Sequence, residues 1–400
     1  MKLILRKTKY RLEHDKQFSV TEIIIVLFLF LAAINFLNKE IYWFFFAFGF
    51  LLFVKRSFSV STKIIPILLF SFVLLLFRRT SQDTLSTMVS TFIYPLAFVI
   101  GYCFTAKQKN LERRSYIFLT LTIVLAVGNL LHVLLNVLSS VEFDNRNAID
   151  IWTGTIRAAT SQAALCIGTV VVSLATMFVN TTRLKKLLAI IMLGIALWCN
   201  LYLAGRTLPI IIVITILVLL LYRLHTAPTE GVRVAVWLVA GVLVVIFAYS
   251  LNLFGVREVV LESNLYQRFF GEHAETVVQD GRLERKILYL THIFDYPFGG
   301  NNMKSMFGYA HDLYLDTYDE AGIIALTFIL VIDYQSVRTM LKLLKQDGIS
   351  QYTKMVVLGI LICYHLMFMV EPIIAGLEWL LSNYLLLYGS MLSLLRRQNS

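Results

Sequence analysis

Residues 187–222 read LLAIIMLGIALWCNLYLAGRTLPIIIVITILVLLLY. Two apolar runs, 187–204 and 207–222, meet at a short turn, and Arg206 is the single charge in the stretch. A helix on a soluble surface needs a polar face, and neither run has one. At ~1.5 Å rise per residue each run extends through most of a hydrocarbon layer ~30 Å thick. The stretch therefore reads as a helical hairpin in lipid. The remaining chain agrees: of 400 residues, 58% are hydrophobic and 15% charged, and the mean hydropathy is +0.74, whereas a soluble domain carries roughly 25% charged residues. Lipid offers the backbone no hydrogen bonds, so the chain must satisfy them within helices; the alternating pattern of a membrane barrel is missing.

Working outward from the hairpin, apolar runs predict spans at 22–38, 41–54, 64–77, 86–106, 116–138, 158–179, 187–204, 207–222, 234–253, 313–333, 353–370 and 372–394. The expected fold is an all-α polytopic transmembrane bundle of about twelve spans. Residues 1–253 hold spans one to nine, 254–312 form a large extracytoplasmic loop with short amphipathic helices, and 313–400 hold the last three spans and a cytoplasmic C-terminus. Cytoplasmic loops are enriched in Lys and Arg, and 24 of the 36 basic residues fall on the side that holds both termini. The net charge of +11 is thus a topology signal, and no nucleic-acid partner is needed to explain it. The basic start, Lys2 to Lys16, precedes an apolar run without a convincing cleavage site and reads as the flank of an uncleaved first span. Cys103, Cys166, Cys199 and Cys363 lie singly in apolar runs and read as small core residues.

Chemistry gathers on the predicted outer face. The segment 281–300, GRLERKILYLTHIFDYPFGG, reads as an amphipathic helix closed by Pro297 and Gly299-Gly300. Leu283, Ile287, Leu290 and Phe294 take one face, with Arg282, Arg285, Lys286 and Tyr289 on or beside the other, a layout that presents cations to phosphate at an interface; a solvated charged face is the plainer reading. His311-Asp312-Leu-Tyr314-Leu-Asp316-Thr-Tyr318-Asp319-Glu320-Ala-Gly322 then leads into the tenth span. At 100° per residue His311, Tyr314, Leu315, Tyr318 and Gly322 share a face, beside one bearing Asp312, Asp316, Asp319 and Glu320. Ionisable groups at a membrane entry usually serve a site, although Asp312 or Asp316 can equally cap the helix. Arg206 can snorkel to headgroups or grip phosphate with its planar fork. Arg146 and Arg157, flanking Trp152, are weaker candidates of the same kind, and His132, His225 and His365 read as structural. There is no P-loop, no Cys-x-x-Cys, no His-Glu-x-x-His and no outer Asp-x-Asp, so ATP-driven transport and metal hydrolysis lack a motif. No cofactor or metal is expected.

At these residues the chain resembles the O-antigen ligase and Wzy-type polysaccharide polymerase superfamily of bacterial membrane glycosyltransferases. Three pieces carry the resemblance, in the family's order: Ala204-Gly205-Arg206-Thr207 opening a span; Gly281-Arg282 with Ile293-Phe-Asp-Tyr-Pro297-Phe-Gly299 in the large loop; and His311-Asp312-Leu-Tyr314-Leu with Glu320-Ala-Gly322. Asp312 departs from the Asn that the family commonly has. The resemblance implies a multi-pass protein of the bacterial cytoplasmic membrane with an outward-facing site. It would transfer a glycan from a polyprenyl (undecaprenyl) diphosphate carrier and build capsule, O-antigen or exopolysaccharide by inverting, metal-independent transfer. Arg206, Arg282 and Arg285 would hold the diphosphate, His311 would act as base, and Asp312, Tyr314 and Glu320 would support it. Partners would be lipid-linked glycans, the bilayer and a chain-length regulator. A ligase with another acceptor is the alternative within this chemistry, and a lipid-linked oligosaccharide flippase or other transporter is the alternative outside it.

Overall fold

Several helices begin where a short polar side chain takes up free backbone amides. Ser19 and Glu22 form a reciprocal capping box, and Asn110, Thr182 and Ser350 each accept from the amide three residues on, satisfying donors that the first turn leaves open. The computed structural model describes residues 18–36, 47, 49, 61–77, 84–108, 110–140, 147–271 and 281–396. The basic start, Arg146 and, apart from 47 and 49, the predicted span at 41–54 lie outside them.

Four helices come first: α1 (Val20–Ala33), α2 (Ile65–Phe77), α3 (Thr84–Ala106) and α4 (Leu111–Leu138). A small antiparallel hairpin, β1 (Ala148–Ile149) and β2 (Ile156–Arg157), follows. Then come α5 (Ala159–Leu165), α6 (Ile167–Met177), α7 (Arg183–Leu203), α8 (Thr207–Thr226) and α9 (Pro228–Ser250). The long connection carries four short helices, α10 (Val256–Glu262), α11 (Asn264–Phe270), α12 (Arg282–Thr291) and α13 (Asn302–Phe307). The chain closes with α14 (Leu313–Lys345), α15 (Gln351–Val370), α16 (Ile373–Gly376) and α17 (Glu378–Leu394).

Among the described residues, seven helical segments are long and apolar enough to cross a bilayer, and three shorter apolar helices accompany them. The chain is therefore a helical multi-pass membrane protein. Small residues let the helices approach closely. A methyl added at Gly101 would stand 1.9 Å from the carbonyl oxygen of Leu386, and one at Gly389 would stand 2.1 Å from that of Phe98, so α3 and α17 touch through their backbones. Thr105 and Ser390 join hydroxyls across the same seam at 2.6 Å. By contrast α9 is exposed along almost its whole length and packs chiefly on α8.

Two predicted elements are corrected. The amphipathic helix foreseen over 281–300 ends at Thr291, because residues 292–300 fold back in successive turns, with the amides of Asp295 and Gly299 donating to the carbonyls of His292 and Tyr296. The tenth predicted span, 313–333, is α14, which runs on to Lys345 and is broken at Ala321 (φ −138°, ψ 15°) and Gly322 (φ 73°, ψ −168°). The returning loop fills the break. Ile323 N donates to Pro297 O at 2.9 Å, and the amides of Gly300 and Asn301 donate to the carbonyls of Glu320 and Asp319. Gly322 suits the site on two counts, its left-handed φ and a space in which a methyl would meet Pro297 O at 2.3 Å.

Candidate anion site

The turn between α7 and α8 is tightly seated. Ala204 ends α7 in the left-handed conformation (φ 52°). At Gly205 a methyl would lie 2.6 Å from Asn200 Oδ1 and 2.8 Å from Ala163 Cβ. With Leu203, Ala204 and Gly205 buried, the next residue, Arg206, is carried to the lip of a cavity of about 360 Å3.

Three further cations reach that cavity from the long connection. On α11, Arg268 donates to Ala204 O at 2.9 Å. On α12, Arg282 donates to Val370 O at 2.9 Å, and Lys286, one turn on, donates to Met369 O. These acceptors are carbonyls at the C-terminal ends of α7 and α15, where unpaired acceptors and the helix dipole favour positive charge. Backbone carbonyls thus help fix all three cations. The opposite face of α12, with Leu283, Ile287 and Leu290, is exposed, as is Phe294 beyond its end, so the predicted division of this helix into a cationic and an apolar face is present.

Two carboxylates moderate the charge. Asp312 caps α14 by accepting from Tyr314 N (2.9 Å) and Leu315 N (3.2 Å), and its second oxygen meets Lys286 Nζ at 3.1 Å. Glu371, 2% exposed, follows α15 directly. One of its oxygens accepts from Thr207 Oγ1 at 2.9 Å and stands 3.6 Å from Arg282 Nη1. The other is buried without a hydrogen-bond partner among the described residues. Burial pushes the Glu371 carboxyl above its ordinary value, against the pull of Arg282 and Arg268. Among the described residues, four cations and two carboxylates stand around this cavity. Ile210, Ile214, Leu366 and Val370 supply apolar walls, which weaken solvent screening of the charges.

His311 lines the same cavity, but not on the helical face predicted for it. Its φ is +55°, and it precedes the cap of α14, so its position is set by the loop and not by a 100° step. The structure thus gathers Arg206, Arg282 and His311, which stand 29 to 105 residues apart in sequence. Arg285 does not line the cavity; its guanidinium lies beside Gly281 and Gly308. Neither do Tyr314 and Glu320. Tyr314 Oη donates to Asp333 Oδ2 at 3.0 Å, inside the bundle, and Glu320 is buried at the helix break, where its carbonyl accepts from Gly300 N. Asp319 accepts from Met303 N and Lys304 N and so closes the N-terminus of α13. Among the described residues no group of three or more His, Cys, Asp or Glu is placed to hold a metal ion.

Arg268, Glu371 and Lys286 are not among the phosphate-binding residues to which the sequence points. Glu371 carried the signal already used for Arg206, a lone charge between two apolar runs. Arg268 sits among aromatics in Asn-Leu-Tyr-Gln-Arg-Phe-Phe and had no such mark. Neither protein-family models nor curated proteins give a match to this chain.

Proposed function

We propose that the protein is a membrane glycosyltransferase of the polysaccharide-polymerase kind, lying in a bacterial cytoplasmic membrane with its site outward and acting on glycans linked to polyprenyl diphosphate. One observation carries the reading: Arg206, Arg268, Arg282, Lys286 and His311 converge on a single cavity with apolar walls. A lipid diphosphate has this composition, a multiply charged head on a hydrocarbon tail, and guanidinium forks match phosphate oxygens.

In the proposed step an acceptor hydroxyl attacks the anomeric carbon as the bond from that carbon to the diphosphate oxygen breaks. The electron pair leaves with the diphosphate, the configuration inverts, and the acceptor's proton passes to His311. The fixed cations stabilise the charge that grows on the leaving group, and a neutral imidazole is suited to take the proton near pH 7. The purified protein, given a lipid-linked repeat unit without metal or nucleotide, should yield a ladder of longer glycans. His311→Ala should yield no visible ladder and Arg282→Ala a much weaker one, while both insert normally. A wild-type ladder from His311→Ala overturns the assignment of the base.

A second reading, movement of a lipid-linked glycan across the bilayer, is favoured by one cluster within the bundle. His365 Nε2 meets Asp333 Oδ1 at 2.7 Å and its Nδ1 meets Leu361 O at 2.6 Å, with Tyr314 on the other Asp333 oxygen. Ionisable pairs inside spans are typical of pathways. Vesicles loaded with a fluorescent lipid-linked glycan separate the two readings: reorientation without chain growth supports transport.

A further inference from the structure

A second cavity, also of about 360 Å3, adjoins the first and is lined differently. Trp198 and Tyr202, one turn apart on α7, form one side; Glu262, Ser263 and Asn264, at the junction of α10 and α11, form the other. Among the described residues no cation lines it. Trp198 is 43% exposed and Glu262 is exposed. The other groups are held: Tyr202 Oη donates to Ser140 O at 2.5 Å, Asn264 Nδ2 to Tyr202 O at 2.8 Å, and Ser263 Oγ to Val260 O at 2.7 Å. Asn264 Oδ1 and the Glu262 carboxylate therefore offer acceptors opposite aromatic faces.

We infer that this cavity is a sugar subsite that takes a pyranose ring of the glycan attached to the diphosphate; the inference rests on the glycosyltransferase reading above. A pyranose has an apolar face of C–H bonds and a rim of hydroxyls. The first fits an indole or phenol face, and the second fits acceptors that have no proton of their own to place. Aromatic residues near the end of a spanning helix commonly serve as interfacial anchors; here, however, a carboxylate and an amide face them across a cavity.

Placement supports the assignment independently. The two cavities share two pieces of chain. On α11, Asn264 lines the sugar cavity and Arg268 the anion cavity, one turn or about 6 Å apart. At the end of α7, Tyr202 lines the sugar cavity and Arg206 the anion cavity, and the bonds Asn264–Tyr202 and Arg268–Ala204 stitch the two pieces together. In a glycosyl diphosphate the sugar is bonded directly to phosphate, so a sugar subsite has to border the phosphate site.

Saturation-transfer NMR on the full-length protein in nanodiscs tests this, using a panel of methyl glycosides of hexoses and N-acetylhexosamines. Wild-type protein should bind at least one, and Trp198→Ala and Glu262→Gln should weaken that binding roughly tenfold or more. Glu262→Gln changes an exposed side chain and guards against misfolding as the cause. Binding of farnesyl diphosphate reads the anion site separately and should be unchanged in both variants. If farnesyl diphosphate binds but no glycoside does, or glycoside binding ignores both substitutions, the sugar subsite is overturned. If farnesyl diphosphate fails to bind the wild-type protein, the proposed function itself is overturned.

Discussion

Two connections of this protein carry arginines, and the structure holds them differently. In the 139–157 connection Arg157 ends on Asp150, 3.1 Å from Oδ2. Asp150 is fully buried, and its other oxygen accepts from Trp152 N, Thr153 N and Thr153 Oγ1. Burial alone would raise this carboxyl, but Arg157 and these donors outweigh it and hold the group below its ordinary value. The cluster is closed. In the 254–312 connection Arg268 and Arg282 donate to helix-end carbonyls, and among the described residues one buried Glu371 oxygen has no hydrogen-bond partner. The first cluster holds a hairpin; the second borders an apolar-walled cavity, where the proposed anion would bind.

The comparison breaks first at the site. His311→Ala should lower glycosyl transfer by about 10²–10⁴-fold, the usual contribution of a general base, and Arg282→Ala by roughly 10–100-fold for one charge-assisted bond, both read by initial rates. Arg157→Ala should leave the rate within about threefold and lower the unfolding temperature instead; equal loss of rate in the Arg157 and Arg282 variants would erase the distinction. Next, Gly322→Ala should destabilise the loop's docking by about 2–4 kcal/mol, through strain at positive φ and crowding of Pro297 O, seen as proteolysis at 292–300.

Smaller effects sharpen the electrostatics. Glu371 has a raised folded-state value, so the folded protein holds its proton longer than the unfolded chain. Stability should therefore fall as pH rises above the ordinary carboxyl value of 4.5, and Glu371→Gln should flatten that fall. Asp150 has a lowered value, so its contribution is present above the ordinary 3.8 and is lost as pH falls through the folded-state value; Asp150→Asn should remove that acid-side loss. Thermal unfolding across pH in the two variants measures both slopes, and slopes of the same sign would contradict the contrast.

Much of this was legible in one dimension. The apolar runs became helices because a long run without a polar face favours lipid as its solvent, and every predicted span that the described residues cover contains a helix. Arg206 was legible because a lone charge between two such runs must lie at an end. Arg282 was legible through the two faces of α12. His311 was selected for a sound reason, an ionisable group at a span entry, but with the wrong geometry, because a helical wheel cannot show that Asp312 starts the helix one residue later. Arg285, Tyr314 and Glu320 were selected by proximity in sequence, and docking turned them elsewhere.

The sequence by itself determined that this chain lives in a bilayer as a multi-pass helical protein, since hydropathy and run length are properties of consecutive residues. It also marked the segments where charge collects. Only the tertiary structure decided which charges meet. Arg268 and Glu371 are more than 100 residues apart, and they come together because α11 docks on the end of α7 while α12 docks on the end of α15. The break at Ala321–Gly322 also needed the returning loop, because an open helix is tolerated only where other backbone groups satisfy what it frees.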